Sequence, residues 1–176
     1  VDAGRRVESL QALGLLRVYQ NLGKLDQAGQ LLEGALERRR SGAVDAGRRV
    51  ESLQALGLLR VEEEKYDEAE KLIDEAIALA RKEHGPRHAV VAEALAARGR
   101  LLIEGGKHEE AIRVLQEAQA AQPEGEGFTQ LRGTILIRVA NAKYYLARYD
   151  EAEALNRQIL AIYERTYGEK HPRVAD

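Results

Sequence analysis

The chain has 176 residues, 32% of them charged, yet its formal net charge is only −2. That length suits one ordinary domain, and the near-neutral balance excludes a strong non-specific pull toward nucleic acid or anionic lipid. The absence of cysteine excludes disulfides, zinc-thiolate sites and a thiol nucleophile, and no run of 18 or more apolar residues predicts a membrane span. Taken in chain order, helix-forming segments rich in Ala, Leu, Glu, Arg and Gln are predicted at 4–21, 25–40, 46–62, 66–83, 88–103, 108–121, 128–145 and 149–166. Apolar residues recur in them at spacings of three and four, as in Leu10, Leu13 and Leu16, then Leu31, Leu32 and Ala35. Breakers separate them: Gly23, Ser41-Gly42, Gly85-Pro86, Gly105-Gly106, Pro123 to Gly127 and Gly168 to Pro172. No stretch alternates apolar and polar residues as a strand would, so the expected fold class is all-α.

A period runs through these helices. The hexads at 23–28, 64–69, 106–111 and 147–152 read GKLDQA, EKYDEA, GKHEEA and ARYDEA. Their closing alanines, Ala28, Ala69, Ala111 and Ala152, are 41, 42 and 41 residues apart. Seven residues later stand Ala35, Ala76, Ala118 and Ile159; twelve residues earlier stand Leu16, Gly57, Gly99 and Ala140. Antiparallel helices approach closely only where a side chain is small, so a small residue of the first helix is expected against the closing alanine of the second. One hairpin cannot bury its apolar face alone, so such units stack.

Those residues resemble the tetratricopeptide repeat: a small residue, a turn Gly followed by an aromatic, then Ala, a bulky residue and Ala. The clearest matches are Gly57, Tyr66, Ala69, Ile73 and Ala76, then Gly99, Gly106, Ala111, Leu115, Ala118 and Pro123. Departures are Glu64 and Ala147 in place of the turn Gly, Leu16 in place of the first small residue, and Asn156 in place of a bulky one. The family's common repeat length is about 34 residues. The longer spacing here, with Gly85-Pro86-Arg87-His88 and the run from Gly168 through His171-Pro172 to Ala175, is similar to the kinesin-light-chain subtype. The resemblance implies a right-handed α-solenoid of stacked antiparallel hairpins, with repeats at 4–43, 46–86, 88–124 and 128–168 and the start of a fifth at 169–176. It also implies a protein-binding scaffold, often part of a larger regulatory protein. The chain lacks Met, and begins at Val1 and ends at Asp176 without natural punctuation, so it reads as a piece of a longer protein. No secretory pattern is present, and a cytoplasmic location is expected. Twenty Arg against seven Lys suits a GC-rich bacterial genome.

Residues 1–18 recur identically at 44–61, a shift of 43 where the repeat there is 41. Either a recent duplication left two extra residues in the first helix pair, or the sequence was assembled artificially. In the duplication's register Gly14, rather than Leu16, meets the region of Ala28.

In stacked hairpins the first helix of each pair lines the concave face. That places Gln54 and Leu58 on it from the second repeat, Arg100 and Ile103 from the third, and Thr134, Arg138, Asn141, Tyr144 and Tyr145 from the fourth. Asn can bond both donor and acceptor of a peptide backbone, Arg can grip a carboxylate through two bonds, and Tyr supplies rigid area with a polar tip. The alternative for the tyrosines is that Tyr144 packs between repeats and Tyr145 faces solvent. The Lys/Asn carboxylate clamp of chaperone-binding relatives is not reproduced.

His84 and His88 are four apart, but Gly85-Pro86 breaks the helix between them, so no metal site is assigned. His108 takes the turn aromatic position. No Ser-His-Asp set, HExxH or phosphate loop is present, and neither catalytic residues nor a cofactor are expected. The expected partner is a protein or extended peptide, with no nucleic acid and no membrane. The rivals are homo-oligomerisation through the array's ends and, less favoured, a small-molecule or signalling-peptide sensor.

Overall fold

The helices stop where the backbone turns left-handed. Glu64, Gly106 and Ala147 have φ of 60°, 74° and 58°, and each occupies the turn position of its repeat. The three turns share one hydrogen-bond pattern. Glu64 N donates to Val61 O and Lys65 N to Arg60 O, at 3.0 and 2.8 Å. Gly106 and Lys107 bond Ile103 O and Leu102 O at 3.0 and 2.8 Å, and Ala147 and Arg148 bond Tyr144 O and Lys143 O, both at 2.9 Å. This paired closure satisfies carbonyls that the helix end would leave bare, and it requires one left-handed residue. The turn therefore persists where Gly is replaced by Glu64 or Ala147, at a cost of about 1 kcal/mol each. The long connector works differently: Gly85, at φ 77°, ends one helix, and extended His88 starts the next by accepting Val90 N on Nδ1 at 3.2 Å.

A computed structural model describes residues 25–41, 46–123 and 130–167. Seven helices lie among the described residues: α1 (Leu25–Ser41), α2 (Ala46–Glu62), α3 (Tyr66–His84), α4 (Ala89–Glu104), α5 (His108–Ala120), α6 (Gln130–Tyr145) and α7 (Tyr149–Tyr167). Each starts and ends within two residues of the expected span, and no strand occurs among the described residues. The expected helix at 4–21, with Gly14 and Leu16, and the connector at His171 lie outside them. None of the described helices is long and apolar enough to cross a membrane.

The chain divides into two compact units between Ala76 and Ile77. In the first, α1 packs on α2, burying Ala28, Leu32 and Leu36 with Val50, Leu53 and Leu59. In the second, α4 packs on α5, α5 on α6 and α6 on α7, while the first helices α4 and α6 also touch.

The small residues act as expected, with one difference. A Cβ at Gly57 would lie 2.7 Å from Ile73 Cγ1, and at 3.5 Å from Ala69 O. One at Gly99 would lie 2.5 and 2.6 Å from Leu115 Cδ2 and Cγ. The glycine thus lies chiefly under the bulky residue four positions beyond the closing alanine, one turn further along than the alanine itself. In the fourth hairpin Asn156 at that position is exposed. Leu136 there packs with Ile159, Tyr163 and Leu155 instead.

Gly34 provides the contrast, since a Cβ there would meet nothing within 4 Å. Gly99→Ala is expected to destabilise the chain by about 1–2 kcal/mol, overpacking outweighing the better helix propensity. Gly34→Ala is expected to stabilise it by about 0.5–1 kcal/mol. Urea unfolding of the two variants measures both signs.

Candidate functional site

On α6, Thr134, Arg138, Asn141 and Tyr145 follow at spacings of four, three and four, which aligns them along one helical face. Arg138 reaches from this face across to α4, where its Nη1 donates to Ala96 O at 2.6 Å. Burial, then repulsion from Arg100, pushes its pKa down to about 10, and Glu104 only partly opposes this. A guanidinium is therefore held in partly dry surroundings beside a like charge. Around it Arg100 and Ile103 are half-buried, Asn141 is exposed, and Ile137 is 37% exposed. Thr134 is half-buried, and its Oγ1 donates back to Gln130 O at 3.0 Å. That leaves its oxygen only as an acceptor.

Tyr144 and Tyr145 are 60% and 64% exposed. Tyr145 stacks on His108 with centroids 4.8 Å apart and planes at 11°. Tyr144 meets Tyr145 edge-on at 6.1 Å and Tyr149 at 5.3 Å. The tyrosines thus join the turn aromatics of two successive repeats into one outward-facing cluster. In the first unit Gln54 and Leu58 are half-buried one turn apart on α2. Gln54 Nε2 is enclosed, with no hydrogen-bond partner among the described protein atoms.

Sequence reasoning missed Arg60. This buried side chain on α2 draws in three carboxylates: Nη1 donates to Glu63 at 2.6 Å, Nε meets Glu68 at 3.0 Å, and Nη2 pairs with Glu33 of α1. Burial disfavours its charge, but the hydrogen bond and charge of Glu63, with Glu33 and Glu68, outweigh that and raise its pKa. Burial likewise opposes ionisation of Glu63, but hydrogen bonds from Lys65 and Arg60 and their charges hold it below the usual carboxylate range. Arg60 lines an open cleft of about 350 Å³ with Leu56, Leu72, Lys71 and Glu75. Its donors already face carboxylates, so it acts as a clamp between helices rather than an anion receptor. A signal existed: Arg60 and Glu68 are eight apart, as are Lys143 and Glu151, which also pair.

The rings of His84 and His88 stack at 4.4 Å and 13°. Parallel rings point their nitrogen lone pairs side by side rather than toward a shared ion, and His88 Nδ1 is engaged by Val90. No group of three or more potential metal ligands occurs among the described residues.

Models of the tetratricopeptide repeat match residues 7–41, 49–124 and 133–173. No curated protein gives a significant match. Solved structures do. The nearly identical TPR-like repeats of a protein from Podosopora anserina described as a kinesin light chain align at 22% identity and TM-score 0.73, covering 93% of this chain and 79% of that one. A single-substitution variant of them gives 22% and 0.75, covering 93% and 78%. BtubC (BKLC) from P. vanneervenii gives 20% and 0.73, covering 90% of this chain and 63% of that one. At these identities the likeness carries the fold alone. Family matches, hairpin register and turn geometry agree: the chain belongs to the tetratricopeptide repeat family, an all-α fold of antiparallel helix hairpins.

Proposed function

We propose that the chain is a non-catalytic, cytoplasmic protein-interaction module whose first helices hold an extended peptide. Tetratricopeptide repeats generally mediate protein–protein interaction, and three models of that repeat match this chain. In the second unit the contact residues are Arg100, Ile103, Thr134, Arg138, Asn141, Tyr144 and Tyr145; Gln54 and Leu58 serve in the first. The supporting observation is Arg138. A guanidinium held in dry surroundings beside another cation costs stability. An arriving carboxylate repays that cost through a two-bonded pair. Asn141 on the same face meets the peptide backbone, and Ile103 and Ile137 offer apolar contact beside the charge.

A second reading, association of copies through the end of the array, is supported by α7. Leu36 and Ile77 stand eight residues beyond their closing alanines and are 4% and 7% exposed, whereas Leu160 at the same position is 42% exposed. Light scattering across a concentration series separates the two: growth in mass with concentration supports association, and a constant monomer mass removes it.

The peptide reading is tested with an array of short peptides carrying Asp or Glu and their Asn or Gln counterparts. The intact chain is expected to prefer the acidic members. Arg138→Met is expected to lose about ten-fold or more of that binding, while unfolding at equal or slightly higher urea concentration. Asn141→Ala/Tyr145→Ala is expected to weaken acidic and neutral peptides alike. Equal binding by the intact chain and both variants places the surface elsewhere.

A further inference from the structure

The fourth repeat carries aromatics where the other three do not. Tyr144 and Tyr145 stand eight and seven residues before Ala152; the same places hold Gln20 and Asn21, Val61 and Glu62, and Ile103 and Glu104 in the first, second and third repeats. With Tyr149 they make a corner. The Tyr144 ring lies at 78° to that of Tyr145 and at 64° to that of Tyr149. His108 stacks on one face of Tyr145, yet all three tyrosines stay between 58% and 64% exposed.

The charges beside this corner already have partners. Lys143 pairs with Glu151, and Arg148 with Glu109. Asp150 lies in the first turn of α7, where it complements the helix dipole. A neutral guest therefore suits the corner better than a charged one. Proline meets the remaining requirements. Its ring lies flat on an aromatic face, and it brings no N–H in need of a partner. A polyproline-II backbone also has no internal hydrogen bonds, so its carbonyls can accept from tyrosine hydroxyls.

Spacing distinguishes between backbone conformations. Arg138 and Tyr145 are seven residues apart on one face of α6, a separation of about 10 Å along the helix. Both lean toward the preceding repeat, Arg138 onto Ala96 O and Tyr145 onto His108. A peptide touching both must present two side chains to the same side across that distance. A β-strand does so every second residue, at about 7 Å and then about 14 Å. A polyproline-II segment does so every third residue, at about 9 Å. The second fits and the first does not.

We infer that the occupant of this face is a polyproline-II segment, with an acidic residue on Arg138 and a proline three positions away in the corner of Tyr144, Tyr145 and Tyr149. The acidic half of this motif rests on the peptide reading above; the proline and its spacing are new. Aromatic-lined grooves are a recurrent way of holding such segments, because the bound conformation is largely preformed.

The test uses the full chain and short labelled peptides followed by fluorescence anisotropy. Each peptide carries one Glu and one Pro in a neutral host, separated by two, three or four positions in both orders. Matching peptides replace Pro with Ala, Leu or Arg, or Glu with Gln. In at least one order, the three-position peptide is expected to bind about five-fold tighter than its Ala counterpart and than the two- and four-position peptides. Tyr144→Ala/Tyr149→Ala, checked for folding by urea unfolding, is expected to abolish the advantage of Pro over Ala while still preferring Glu to Gln. Equal binding of Pro and Ala peptides, equal binding at all three spacings, or binding of Leu or Arg peptides as tight as Pro overturns the inference and leaves the acidic-peptide reading standing. Indifference to Glu against Gln overturns both.

Discussion

Two helices can lie against each other only as closely as the bulkiest residue between them permits, and this fold depends on keeping that residue on one side. At Gly57 and Gly99 the first helix contributes no side chain, and Ile73 and Leu115 of the second occupy the space. Ala69 and Ala111, one turn away, are wholly buried at the same seam. The same close approach occurs at both positions, 42 residues apart in the chain, so one local constraint sets the spacing of the two helices within each of these hairpins. Apolar burial supplies the driving force, but the absence of a Cβ at these positions fixes the distance at which it acts.

Ion pairs refine this geometry without creating it. Arg81 pairs with Glu117 between second helices, and Arg148 of the fourth turn pairs with Glu109 of the third. These side chains are exposed, and such pairs contribute about 0–1 kcal/mol each. Arg60 differs, because its guanidinium is buried and faces three carboxylates, Glu33 of α1, Glu68 of α3 and Glu63 of the turn between α2 and α3. Removing it would leave Glu63 enclosed with one fewer donor, so its value lies in specifying which helices meet.

Much of the fold was legible because turn chemistry and periodicity are local. A left-handed residue followed by the paired closure marks three turns, and helix ends fell where Gly, Pro and the hexads placed them. Depth was not legible. Helical register assigns Arg138 to the α6 face shared with Thr134 and Asn141, but nothing along the chain tells that its guanidinium reaches Ala96 O on another repeat. Nor could sequence foresee that Tyr145 turns onto His108, since residues 37 positions apart meet only after the hairpins stack. Arg60 went unnoticed for the opposite reason: a cation near a run of glutamates resembles an ordinary solvated face until burial is known.

The most direct test of the close-approach seam is a double-mutant cycle between Gly99 and Leu115, read by equilibrium urea unfolding. Gly99→Ala, Leu115→Ala and the pair are compared with the unaltered chain. If the alanine methyl is costly because Leu115 occupies its space, trimming Leu115 removes that cost, and the two changes couple favourably by about 1–2 kcal/mol. Additive effects within about 0.3 kcal/mol would contradict the account, because the glycine would then be needed for some reason other than the side chain lying over it.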